Sequence, residues 1–187
     1  MTKRSPSKRQ LQTRTMLKDA FFRLLAREDY GNITVSALCQ EADLARRTFY
    51  RHYETLDDLV TDIVADYVTE FLAWRDKVIL QKITFRELVE YFFVFWEKKA
   101  DILLLFDRQK MFFYVSHVFD DSMRAALSSD PEHPLDSIRQ ISYITIFGGL
   151  WQLLHVWLQT NPRKSITEMG QMAEQMQEMI SHFPRES

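Results

Sequence analysis

From Ala45 to Tyr53 the chain reads Ala-Arg-Arg-Thr-Phe-Tyr-Arg-His-Tyr, which gathers three guanidinium groups, a hydroxyl, two phenols and an imidazole into one short segment. These groups suit recognition of anions and base edges rather than bond cleavage. A guanidinium fork matches the paired acceptors of a guanine edge or a phosphate, and hydroxyl and imidazole donors reach phosphate oxygens. The spacing sorts the side chains. On a helix, Phe49 and Tyr53 lie four apart and turn together into a small core, leaving Arg46, Arg47, Tyr50 and Arg51 largely outward. A solvated arginine face on a protein–protein module is the alternative for the same residues.

Short elements must position this segment. Thr34 caps a helix whose inward face is Val35, Leu38, Cys39 and Ala42. Asp43-Leu44 is a turn, and the arginine-rich helix follows. Two short helices in that order make a helix-turn-helix, whose second helix lies in the DNA major groove. Ahead of it, a helix from about Leu11 to Arg27 carries the stripe Leu17, Ala20, Phe21, Leu24 and Leu25, and residues 1–10 read as a polar, basic arm that orders only on contact. Behind it, Thr55-Leu56-Asp57-Asp58 opens a fourth helix that nothing breaks before Ile79, so head and body are joined without a flexible linker. Thr84-Phe85-Arg86-Glu87 opens a fifth helix, and residues 101–127 hold one or two more. Ser128 to Pro134 is a loop. A long apolar helix runs from about Leu135 to Gln159, and Ser165-Ile166-Thr167-Glu168 opens a last, methionine-striped one.

Composition bounds the class. The chain has 187 residues, 46% hydrophobic and 13% aromatic, with only four glycines and five prolines, which favours helices around a sizeable core. The expected fold is all-α: an N-terminal arm and three-helix helix-turn-helix domain over residues 1–54, then a helical domain over residues 55–187, whose ligand-binding and dimerisation roles are implied by a family resemblance. A single cysteine, Cys39, excludes an intramolecular disulfide and falls on an inward face. There is no secretory signal and no apolar run of the ~18–20 residues that span a bilayer, so a cytoplasmic protein without a membrane partner is expected. Net charge is −2, yet residues 1–53 hold eleven Lys/Arg against five Asp/Glu while residues 54–187 hold thirteen against twenty-one. A basic head on an acidic body fits a module that docks phosphate. An enzyme is not expected: there is no phosphate-cradling glycine loop, nucleophile elbow or paired metal motif, and Glu87, Glu90 and Glu97 are spaced as a solvated face. No cofactor or metal is expected either. His117 with Asp120 and Asp121 has a spacing that could hold a cation, but a surface or hydrogen-bonded histidine is the better reading.

Residues 13–60 resemble the tetracycline-repressor (TetR) family of regulators. The likeness is carried by Ile33-Thr34-Val35, Leu38-Cys39-Gln40-Glu41-Ala42, Thr48-Phe49-Tyr50-Arg51-His52-Tyr53 and Leu59, with a looser match at Gly148-Gly149-Leu150-Trp151, Trp157-Leu158 and Ser165 to Met169. The chain departs from the pattern at Asp43, where the turn usually carries glycine, and aspartate tolerates the left-handed backbone needed there. It departs again at Ala45, where a capping side chain is lost at a cost of ~1 kcal/mol, and at Leu56, where a phosphate-binding lysine is common. The resemblance implies a transcription regulator, with repression the commoner outcome, that binds palindromic operator DNA as a homodimer. It assigns Arg46 and Arg47 to base edges, Thr48 and Tyr50 to phosphate or a thymine methyl, Arg51 to the same outward face and His52 to phosphate. Thr34 and Ser36 fall at a helix N-terminus that favours phosphate, and Lys8, Arg9 and Arg14 add general attraction.

The same resemblance places the dimer surface on the last two helices, at Gly148, Gly149, Leu150, Leu153, Leu154, Trp157, Met172 and Met176. Completion of the monomer core is the alternative for these residues. Trp74, Phe92, Trp96, Phe106, Phe112, Phe113, Tyr114 and Trp151 are candidates to line a small-molecule effector pocket, against plain core as the alternative. A partner protein could deliver the signal instead. The competing function is a helical adaptor that binds protein and never DNA.

Overall fold

The computed structural model describes residues 7–78, 83–128, 137–161 and 163–181, and these are helices joined by turns, with no strand among them. Ile79 and most of the expected Ser128–Pro134 loop, together with Leu135, lie outside the described residues. Helix α1 spans Lys8–Leu25, starting earlier than the apolar stripe suggested. Ser7 is the reason: its hydroxyl accepts from the Gln10 amide while the Gln10 side chain accepts from the Ser7 amide, closing a capping box. A 3₁₀ turn at Tyr30–Asn32 leads to α2 (Val35–Glu41) and α3 (Arg46–Tyr50). Then come α4 (Leu56–Val78), α5 (Phe85–Glu97), α6 (Ala100–Arg108), α7 (Phe112–Ser128), α8 (Ser137–Gln159) and α9 (Ile166–Ser181). Thr55 with Asp58, Thr84 with Glu87, and Ser165 with Glu168 each make the reciprocal capping bonds that the sequence promised.

Residues 101–127 resolve into two helices because the chain turns at Lys110, whose φ is 58°. The Met111 amide reaches back to the Phe106 carbonyl and the Lys110 amide to that of Asp107, the bonding of a left-handed helix stop made here without glycine.

Buried apolar residues form one cluster that runs from Leu17 in α1 to Ala173 in α9. In the head, Leu17, Phe21, Leu25, Leu38 and Phe49 are fully enclosed. In the body, α7 lies along α4 and α9 along α5. Phe92 and Trp96 of α5, Phe119 of α7 and Trp151 of α8 meet edge to face or tilted, with Trp96 and Trp151 centroids 4.7 Å apart. Gly170 on α9 faces α5: a Cβ there would collide with the Glu90 side chain. Contacts besides α4 also tie head to body. The Phe22 ring meets Phe106 at 5.9 Å, and the Gln109 side chain donates to the Leu25 carbonyl and accepts from the Tyr30 amide. No helix among the described residues is long and apolar enough to cross a membrane.

Candidate nucleic-acid interface

The turn before α3 has the backbone that the sequence demanded. Asp43 adopts φ 52°, and the Leu44 amide closes onto the Cys39 carbonyl. Ala45 gives α3 no side-chain cap. The helix is held from behind instead. Phe49 is fully buried and Tyr53 nearly so, their rings 5.6 Å apart, and the Tyr53 hydroxyl donates to Asp62 at 2.7 Å. Asp62 on α4 also accepts from Arg14 and Lys18 on α1, so one carboxylate fastens three elements. Burial by itself would raise the Asp62 pKa; the hydrogen bonds from Lys18, Tyr53 and Arg14 outweigh it and hold the carboxyl below its ordinary value.

This leaves Arg46, Arg47, Tyr50 and Arg51 exposed, with Thr48 and His52 half-covered. The head's cations divide sharply by partner. Arg14 and Lys18 pair with Asp62, Lys18 also with Asp66, and Arg23 and Arg27 with Glu41. Lys8, Arg9, Arg46, Arg47 and Arg51 have no carboxylate partner among the described residues. Arg14, expected to attract phosphate, is therefore committed to packing α1 on α4. The unpaired set lies on α3 and the start of α1. Arg46 is steadied by its neighbour one turn on: its guanidinium lies 5.9 Å from the Tyr50 ring and donates to the Tyr50 hydroxyl at 3.4 Å. Arg47 and Arg51 face the other way, into an open cleft of about 550 Å³ shared with Arg9, Gln12 and Thr13 of α1.

The remaining sites of the head fall as follows. The Thr34 hydroxyl accepts from the Ala37 amide and so spends itself on capping α2, while Ser36 is exposed beside it. The His52 Nε2 is buried without a hydrogen-bond partner, and burial, then Arg51 and Arg14, lower its pKa. At neutral pH it is an uncharged ring beside Tyr53 rather than a cation facing phosphate. Cys39 is buried, as its inward position required.

In the body, Phe92, Trp96, Phe106, Phe112 and Trp151 are enclosed by other rings, and Trp74 is half-buried against Phe71, Tyr91 and Phe95. Phe113 is a correction to the pocket expectation: it is 53% exposed, because Phe112 takes the inward position at that turn of α7. Tyr114 is exposed too. Asp120, beneath this cluster, accepts from Trp151 Nε1 at 3.1 Å, and burial raises its pKa to about 6. His117 pairs outward with Asp121, so the three candidate metal ligands diverge. On the last two helices, Gly148 and Gly149 are open to solvent, and Val156, Met172, Met176 and Met179 are exposed. Leu153 and Met172 line a small groove with Val156 and Met169. Leu150, Leu154 and Trp157, expected in an intermolecular seam, are inside the monomer. Trp157 packs on Phe93 and donates to the Lys164 carbonyl, which turns it inward.

Sequence reasoning did not find Asp62 or Gln109. Asp62 sits four residues from Asp58 and Asp66 on an exposed-looking face, and nothing in the sequence around Gln109 marks a bridge to the head.

Residues 18–63 match the family of bacterial regulatory proteins, tetR family. Over 66 residues the chain is 32% identical to YxbF of Bacillus subtilis (strain 168), an uncharacterized HTH-type transcriptional regulator; the match covers 35% of this chain and only 17% of that protein. The fold is similar to that of Lin0861 from Listeria innocua, with a TM-score of 0.69 at 17% identity over 98% of this chain and 97% of that one. It is also similar to a transcriptional regulator (TerR/AcrR family) from Aquifex aeolicus VF5, with a TM-score of 0.54 at 16% identity over 90% of this chain and 99% of that one. At such identities the likeness is one of fold.

Proposed function

We propose, on the premise that residues 18–63 belong to the tetR family of bacterial regulatory proteins, that this chain is a transcription regulator whose α3 enters the major groove of double-stranded DNA. One observation carries the proposal: the head pairs its other described cations internally and leaves those of α3 and the start of α1 free. A free guanidinium on a short, exposed, rigidly backed helix is available to base edges and phosphates, whereas a paired one is not. Ser36, Thr48 and Tyr50 stand beside these arginines and supply neutral donors.

The regulator works as a homodimer on a palindromic operator, because two such heads must meet two grooves about 34 Å apart or a multiple of it. The exposed Val156, Met172 and Met176, with Gly148 and Gly149 open beside them, are the surface for the second copy, extended by Leu153 in the groove between α8 and α9. It represses, and an effector in the body or a partner protein releases it by shifting the balance between two placements of the heads. An effector pocket would open among Trp74, Phe92, Trp96, Phe106 and Trp151. The family premise makes an enzymatic role the weaker alternative.

A mobility-shift titration on the DNA upstream of the chain's own gene tests this function. Specific retardation that weakens steeply with salt is expected; equal, weak retardation of every fragment would favour the adaptor.

A further inference from the structure

We infer that the cleft between α1 and α3 is a seat for one backbone phosphate, which divides α3 into a clamping face and a reading face. The inference rests on the regulator function above. Arg47 and Arg51 are four apart and turn toward α1, where Arg9 meets them across a cleft of about 550 Å³. Arg46 and Tyr50, also four apart, lie on an adjoining face about 100° around the helix. None of the residues lining the cleft is acidic, so three guanidinium groups converge with no carboxylate to neutralise them. Convergent like charges held without a counterion disfavour the empty state and favour an anion of matching size. Gln12, Thr13 and Thr48 line the same cleft, though the Thr13 hydroxyl is spent on the Arg9 carbonyl. The amide of Gln12 and the hydroxyl of Thr48 remain as neutral donors to a bound oxygen. Arg47, placed at a base edge by the sequence, is thereby assigned to the backbone. Base discrimination falls to Arg46, whose fork is steadied by the Tyr50 ring and hydroxyl. The site's chemistry is that of a phosphate, and the source assigned is the DNA diester rather than free phosphate.

The test uses the full chain. Duplexes are selected from a random pool by the wild type and by R46A, R47A and R9A/R47A, and affinity for the selected duplex is followed against KCl. Arg9, Arg46 and Arg47 are solvent-facing, so circular dichroism melts of the variants should overlay the wild type. R47A and R9A/R47A are expected to select the same sequence as the wild type. Their log–log salt slopes should be shallower than the wild type's, by up to about 0.9 for each seated phosphate released. R46A should lose roughly 10- to 100-fold of discrimination at one base pair. Single neutral methylphosphonates placed along the duplex should reveal one position per half-site that weakens the wild type but not R9A/R47A. R47A selecting a different sequence, or keeping the wild-type salt slope, overturns the assignment alone. A wild type that enriches no sequence overturns the regulator function and the assignment with it. Inorganic phosphate at constant ionic strength should displace no more duplex from the wild type than from R9A/R47A; selective displacement from the wild type would make the cleft a free-phosphate site and overturn the backbone assignment.

Discussion

Asp62 shows how much of the placement of α3 is set by one side chain behind it. It binds Arg14, Lys18 and the Tyr53 hydroxyl, so α1, α4 and the segment just after α3 share a single fixed point. Asp62→Asn keeps the shape but leaves Arg14 without its countercharge and Lys18 with Asp66 alone. A loss of about 1–3 kcal/mol in urea unfolding is expected, with DNA affinity falling as α3 loosens. Asp120 has the opposite character. Burial raises its pKa to about 6, above the unfolded value of roughly 3.9. The folded protein therefore holds this proton more tightly than the unfolded chain, and stability is lost as pH rises from the unfolded value through about 6. Asp120→Asn, which can still accept from Trp151, should melt higher than wild type at pH 8 and match it near pH 4. Equal melting temperatures at both pH values would contradict the buried-acid assignment.

At the scale of elements, much was legible because capping and periodicity are local. Thr34, Thr55, Thr84 and Ser165 each announce a helix start, and Asp43 marks the left-handed turn. The stop at Lys110 was hidden because a lysine carries a conformation usually left to glycine. The inward turn of Leu150, Leu154 and Trp157 was hidden for another reason: α8 is apolar on more than one face, so its sequence does not say which face meets the monomer. The outward arginines of α3 could be read from spacing, but their division between two faces depends on where α1 lies across from them. Gln109, the cap residue at the end of α6, is likewise a tertiary fact, joining Leu25 and Tyr30 of the head to the body. Gln109→Met preserves the side chain's bulk and removes both hydrogen bonds. The Tyr30 amide should then exchange with solvent faster while the α1 amides stay protected, at a cost of about 1–2 kcal/mol. Unchanged Tyr30 exchange would show that this bridge does not persist in solution.

For the whole molecule, the decisive feature is that one continuous core links a head with free cations to a body with an exposed apolar surface on α8 and α9. If that surface holds a second copy, light scattering should give about twice the 22.4 kDa chain mass. Val156→Glu with Met176→Glu should return the monomer, since two buried like charges across a twofold would oppose association. Operator affinity should fall with it, because each head then binds without its mate. The most direct measurement is fluorescence anisotropy of the wild-type protein with its selected duplex and with a scrambled duplex of the same composition, over a range of KCl. Binding at least about 1,000-fold tighter to the selected duplex is expected, together with a steep fall of affinity with salt on both. Equal affinity for the two duplexes at every salt concentration would contradict the account of α3 as a reader of DNA sequence.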